Sequence, residues 1–270
     1  MDEKRGKTGL LLALACGLLV PSLMSGGESA GVKPEGTRGS AMALVPAGEF
    51  KMGCNHSRDS HCDADENPYH TVYLDAYYID LTEATVGQYQ ECARAGGCRA
   101  AKDYADFGHD DQPAVGVSWD DASRYCQWAG KRLPSEAEWE KAARGADGRV
   151  YPWGNKTCGC SCAVQEQRQV YGCGRDATWP VGSAPKGASP YGATDMAGNV
   201  WEWTADWYAA DYYKNSPREN PQGPESGEKK VRRGGCFANI KNYLRASDRN
   251  TALPDTLSNS TGFRCALSAK

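Results

Sequence analysis

An α+β fold with little regular structure is predicted by three features of this chain. Glycine and proline are abundant, three short helices have readable ends, and strand-like alternation occurs in only a few places. Gly (31) and Pro (14) recur through 270 residues, which favours turns over long elements. Hydrophobic residues make up 40%, enough for a core, and the large apolar side chains are mainly Trp (8) and Tyr (14) rather than Phe (4). The length fits one large domain or two small ones. Beyond Leu44 no second linker and no internal repeat can be read, so a single domain is expected.

The first helix starts at Thr85, with Gln88 three residues on in a capping-box pattern. Val86, Tyr89 and Ala93 share a face, and Gly96-Gly97 stops the helix. Ser118 caps the second, whose buried side is Trp119, Ala122, Tyr125 and Ala129, with Gly130 as its end. Ser135 and Glu138 form the capping box of the third, "PSEAEWEKAARG", and Gly145 terminates it. Strands are expected at "TVYLDAYYID" (71–80), where apolar and polar residues alternate, and at "KKVRRG" and "TGFRCAL". The segment 214–230 reads as a turn-rich surface loop.

Residues 1–27 read as a signal peptide. Lys4, Arg5 and Lys7 precede the apolar run "LLLALACGLLV", Pro21 ends it, and small residues follow at 25–30. The run is too short to span a bilayer comfortably, so no stable membrane span is expected after cleavage. A retained N-terminal anchor, or a lipid on Cys16, is the competing reading. Residues 28–42 read as a flexible Gly/Ser/Pro linker, and 43–270 as the folded domain. Twelve cysteines in an exported chain point to disulfides made in an oxidising compartment: periplasm, cell surface or extracellular space. Removing Cys16 with the signal leaves eleven of the twelve, an odd number. Net charge is −3 and no basic patch with interleaved aromatics stands out, which argues against nucleic-acid binding.

Several stretches, in order, resemble one family. They are "VPAGEFKMGC", "DQPAVGVSWDDASRYCQWAGKRLPSEAEWEKAARG", "YPWGN", "WPVGS", "YGATDMAGNVWEWTADWY" and "VRRGG…LRASDRN…GFRCAL". Together they are similar to the formylglycine-generating enzymes, or sulfatase-modifying factors, over about 43–270. The resemblance implies a single domain distantly like C-type lectins, with a few helices and small sheets. In "DMAGNVWEW" it implies a structural calcium held by the Asp195 and Glu202 side chains and the Gly198 and Val200 carbonyls. Hard oxygens of this kind suit calcium. A second family calcium site needs an asparagine that is missing near Ala163 and Val164, and is not expected. The resemblance also implies a Cys126–Cys265 bridge.

Three further pairings are expected. Cys92 and Cys98 flank the Gly-Gly helix stop, and Cys54 and Cys62 bracket a polar loop. In the cluster Cys158, Cys160, Cys162 and Cys173, Cys162 is expected to pair with Cys173. Cys236 is left with Cys158, with Cys160 or with no partner. Cys-x-Cys spacing is tighter than a zinc knuckle, and zinc is the weaker reading. His56 and His61 read as parts of an exposed loop.

Catalytic members of the family carry two copper(I)-binding cysteines, five residues apart, after the Gly-Gly of the closing stretch. Two thiolates suit copper(I). Counted without gaps from Gly234-Gly235, those positions are Asn239 and Leu244, neither of which is a thiolate. Copper is therefore not expected, and no catalytic residue is nominated. The expected function is an exported family member that no longer generates formylglycine. It would instead bind an extracytoplasmic protein or peptide in a groove near Asn239, Tyr243 and Arg245. The alternative is an oxidoreductase on the same scaffold: protein-cysteine oxidation to formylglycine, or another oxygen-dependent protein modification.

Overall fold

The computed structural model describes residues 31–269, so the signal segment read at 1–27 lies outside the described residues. Within them are nine strands, β1 (Met42–Val45), β2 (Gly48–Met52), β3 (His70–Leu74), β4 (Tyr77–Asp80), β5 (Trp201–Trp207), β6 (Lys230–Arg233), β7 (Asn250–Ala252), β8 (Thr261–Gly262) and β9 (Ala266–Ser268). Three α-helices accompany them, α1 (Val86–Arg94), α2 (Trp119–Trp128) and α3 (Glu136–Arg144). The mixed α+β class and the sparse regular structure are as read from the sequence. None of these helices is long and apolar enough to cross a membrane.

Each helix forms where its caps placed it. Thr85, Ser118 and Ser135 accept hydrogen bonds from the backbone N–H three residues on, and Gln88, Asp121 and Glu138 reach back in return. The middle box uses Asp121, which the sequence reading had not named. Gly145 follows α3 with φ of 67°, a conformation that β-carbon-bearing residues resist.

The stretch 71–80 is two strands, not one. β3 pairs with β2, whereas β4 lies between β1 and β9 in a separate antiparallel sheet. The buried face shifts across Asp75-Ala76, from Val72 and Leu74 in β3 to Tyr77 and Ile79 in β4, a change of phase that Tyr73, Tyr77 and Tyr78, which suit either face, masked in the sequence. A third sheet has the order β7-β6-β5-β8, with β5 and β8 parallel. The described part of the expected linker is also tied down. Val32 bridges to Met42, and the Arg38 N–H donates to the Ala129 carbonyl. Flexibility read from Gly/Ser/Pro content therefore gives way, over 31–42, to backbone bonds with distant residues.

Two aromatic cores flank β5. Trp139 packs with Phe50, Leu74, Tyr77 and Ile79 in one, and Trp203 packs with Tyr89, Tyr125 and Phe263 in the other. Between and around them lies a dense set of buried ions. Helix α3 is buried at all nine positions, charged ones included. Lys141 donates to the Pro46 and Gly48 carbonyls, and Glu140 pairs with Arg144 and Arg233. At its first turn Asp206 accepts the Glu136 N–H at 2.7 Å, and burial with nearby Glu136 pushes its carboxyl up to about 8.

Among the described residues five disulfides form, Cys54–Cys62, Cys92–Cys98, Cys126–Cys265, Cys158–Cys162 and Cys160–Cys173. The first three match the expected pairs. The expected Cys162–Cys173 pair does not form. A turn at 159–161 brings the Cys158 and Cys162 Cα atoms to 5.6 Å, and Cys160 and Cys173 come to 5.8 Å, both within disulfide reach. Cys236 is buried and has no disulfide partner among the described residues.

Candidate functional site

The candidate groove is built where β6 runs out. Gly234 and Gly235 both take positive φ, 97° and 75°. A Cβ on Gly235 would lie 2.7 Å from the Tyr243 carbonyl oxygen, so only glycine lets the returning turn pack this closely. The Gly198 N–H donates to the Gly234 carbonyl and the Phe237 N–H to the Asn199 carbonyl. These bonds join the "DMAGN" loop to the closing loop.

Asn239 and Leu244, the two positions counted from Gly234-Gly235, are both held by contacts within the fold. The Asn239 Oδ1 accepts the Cys236 N–H at 3.0 Å and the Cys236 thiol at 3.1 Å. Leu244 is buried among Val150, Tyr151, Ala163 and Ala197. Burial pushes the Cys236 thiol up to about 11, which favours the protonated thiol near neutral pH.

Arg245 is not a free recognition group. It is buried, and its guanidinium donates to both Glu66 oxygens, by Nη2 to Oε1 at 2.6 Å and by Nη1 to Oε2 at 2.7 Å. It also reaches Asp248 at 3.0 Å and Asp59 at 3.2 Å. Such a bidentate clamp fixes the turn on which Tyr243 stands, and Tyr243 is exposed.

The groove itself has two connected parts. A cavity of 620 Å³ is lined by Tyr151, Trp153, Gln165, Arg168, Lys241 and Leu244, among others. An adjoining hollow of 360 Å³ includes Tyr243, Arg245 and Asp248, and the two share His61, Ile240 and Asn242. Tyr151 and Trp153 stack with ring centroids 5.1 Å apart and planes 2° apart. Sequence reasoning quoted "YPWGN" but did not read these rings as a site. Their i, i+2 spacing across a tight Tyr151–Gly154 turn is the signal that could have found them.

The expected calcium residues come together only in part. Glu202 lies flat against Arg264, two oxygens to two nitrogens at 2.7 Å each, and also accepts from the Trp139 indole at 2.7 Å. Asp195 accepts the Gly182 N–H. Glu83, which sequence reasoning missed, is fully buried beside them with Oε2 unpartnered. Burial first, then the Asp195 and Glu202 carboxylates, push Glu83 well above the usual carboxylate range. Burial likewise raises Asp195. Three buried carboxyl groups thus face one guanidinium.

A groove beside the Gly-Gly turn, the "GNV" loop that leads into β5 and three small sheets together define a scaffold of the sulfatase-modifying type. The chain matches the sulfatase-modifying factor enzyme 1-like domain over residues 28–269, and it belongs to that family. It is 35% identical over 294 residues to the formylglycine-generating enzyme of Streptomyces coelicolor, covering 88% of this chain and 91% of that one. It is 36% identical over 251 residues to the serine/threonine-protein kinase pkn1 of Chlamydia caviae, covering 85% of this chain but only 38% of the kinase. This chain therefore spans well under half the length of that curated relative. Among solved structures, PvdO from Pseudomonas aeruginosa is similar with a TM-score of 0.73 at 28% identity, covering 85% of this chain and 95% of that one.

Proposed function

We propose that this chain is an extracytoplasmic binding member of its family that has lost the copper-dithiolate chemistry. One observation carries the reading: both copper positions are structural, with Asn239 capping Cys236 and Leu244 filling a packed core site. The groove beside them remains, with a stacked aromatic pair on one wall and exposed Tyr243 on another. Two hollows that share His61, Ile240 and Asn242 suit an extended peptide, for which rigid aromatic side chains supply contact area at low entropic cost. Five disulfides support export, because such bridges persist in oxidising compartments. The test has two arms. Incubation of a Cys-x-Pro-x-Arg peptide with copper and oxygen is expected to leave the thiol intact, while the Streptomyces coelicolor enzyme converts it. An array of extended peptides is expected to yield binders that lose about tenfold or more in affinity with Trp153→Ala or Tyr243→Ala. Conversion of the thiol, or binders indifferent to both substitutions, overturns the proposal.

Calcium belongs to the same reading. The unpartnered Glu83 oxygen and the excess of buried carboxyl groups over Arg264 fit a divalent cation held by Asp195, the Gly198 and Val200 carbonyls and Glu83. Glu202, committed to Arg264, would orient the site from behind rather than ligate directly. Bound calcium would neutralise the cluster and stiffen the "DMAGN" loop. Calcium at a hundred times its Kd is expected to stabilise the fold by about 2.7 kcal/mol, a rise of about 5–10 °C in Tm over the EGTA-treated protein. Asp195→Ala should abolish that increment. Equal melting with calcium and with EGTA would remove the cation from the account.

A further inference from the structure

Away from the groove, a second cavity of 440 Å³ opens between α1 and the 100–108 strap. Its volume lies within the range of small-molecule sites. Buried Tyr89, Phe107, Ala114 and Val115 form the floor, and Val86 and Ala93 form one wall. Val86, Gln90 and Ala93 share one stripe of α1, with Arg94 beside them, while Cys92 turns inward. Small residues, Ala100, Ala101 and Gly108, line the mouth and leave it open.

The walls are fixed without any ligand. The Cys92–Cys98 bridge pins the strap's approach to α1, the Lys102 N–H donates to the Gly116 carbonyl, and the Tyr104 hydroxyl donates to the Leu257 carbonyl. Gln112 adds a bond to the Asp106 carbonyl at 3.1 Å. A preformed cavity has already met most of the ordering cost of binding.

Its charge is specific. Arg94 and Lys102 both line the cavity, and among the described residues neither forms an ion pair. Lys102 lies 5.0 Å from the Tyr104 ring centre. Asp103 also lines the cavity and limits how much negative charge a ligand can bring. We propose that this cavity binds a small amphipathic monoanion, its ring or short acyl chain on the Tyr89–Phe107 floor and its carboxylate between Arg94 and Lys102.

Calorimetric titration of the full chain with octanoate tests this, with octanol as the uncharged control. Saturable binding of octanoate is expected, weakened at least about tenfold for octanol and for Arg94→Glu/Lys102→Glu, the 1.4 kcal/mol of one lost charge-assisted contact. Ala93→Trp, at a half-buried helix position, should fill the cavity and abolish binding while circular dichroism stays unchanged. If Ala93→Trp disturbs the fold, Val86→Trp serves the same purpose from two helical turns earlier. No saturable binding, binding that survives the filled cavity, or equal affinity for octanol overturns the proposal.

Discussion

Replacing Cys126 and Cys265 together with alanine is expected to lower the unfolding free energy by about 4–5 kcal/mol. The bridge closes a loop of 139 residues, joining α2 to the start of β9, and both cysteines are fully buried. By comparison, Cys92–Cys98 spans 6 residues, and the same loop-closure relation gives about 2 kcal/mol for its removal. The contrast between the two double variants separates the entropic effect from any generic consequence of removing sulfur. A single domain holds a net stability of about 5–15 kcal/mol, so the long bridge is a large fraction of the total. It also fixes the place where the Cys265 N–H meets Asp80, itself paired with buried Lys131 at 2.5 Å. Urea titration of the oxidised proteins gives the measurement. A loss for Cys126/Cys265 no greater than that for Cys92/Cys98 would show that the connection between α2 and β9 holds without covalent help.

What the sequence made legible was local or borne by the resemblance. The three helices were found because their caps and stops lie within a turn of each end, as with Thr85–Gln88 and Ser135–Glu138. The split at Asp75-Ala76 was not, although the buried face changes phase there, from Val72 and Leu74 to Tyr77 and Ile79, because the intervening tyrosines are compatible with either face. Nor could spacing settle the 158–173 cysteines, since adjacent Cys-x-Cys pairs allow several bridges and the turn at 159–161 decides between them. At the site, counting from Gly234-Gly235 located Asn239 and Leu244, whereas their commitments to Cys236 and to the Leu244 core needed coordinates. Arg245 was placed in the groove by its position in the closing loop, and it does line the hollow there, but its guanidinium is taken up by buried carboxylates. Its partners Glu66 and Asp59 lie some 180 residues away in sequence and carry no local signal. Helix α3 shows the same limit. The sequence placed "EAEWEKAAR" as a helix by its caps but did not show that all nine residues are buried, because their partners arrive from distant strands and turns.

That buried helix carries the second large expected effect: Glu136→Gln should destabilise the protein by about 3–5 kcal/mol. Glu136 is fully buried at the first position of α3. Arg249 donates to it at 2.7 and 2.9 Å, Arg233 at 3.3 Å, and the Tyr213 hydroxyl at 3.2 Å. Burial alone would raise its carboxyl, but Arg249 and Arg233 outweigh that and hold it below the usual range. Neighbouring Asp206 goes the other way, up to about 8, so one negative charge rather than two serves the cluster near neutral pH. Glutamine keeps the shape of the side chain and removes the charge, leaving the two guanidinium groups short of a partner inside the protein. Arg233 retains Glu140 at 2.6 Å, whereas Arg249 retains the Asp65 and Ala209 carbonyls and the Tyr208 and Tyr213 ring faces but no other paired carboxylate among the described residues, so the cost falls mainly on Arg249. The second variant follows from that asymmetry. Adding Arg249→Met to Glu136→Gln removes the stranded charge and should recover part of the loss, because an apolar replacement of a buried pair costs far less than half a pair. Equal unfolding free energies for the single and double variants would mean that Arg249 finds water or another acceptor when Glu136 is neutral. In that case α3 would owe its position to the packing of Trp139 against Tyr77 and Ile79 rather than to its ions.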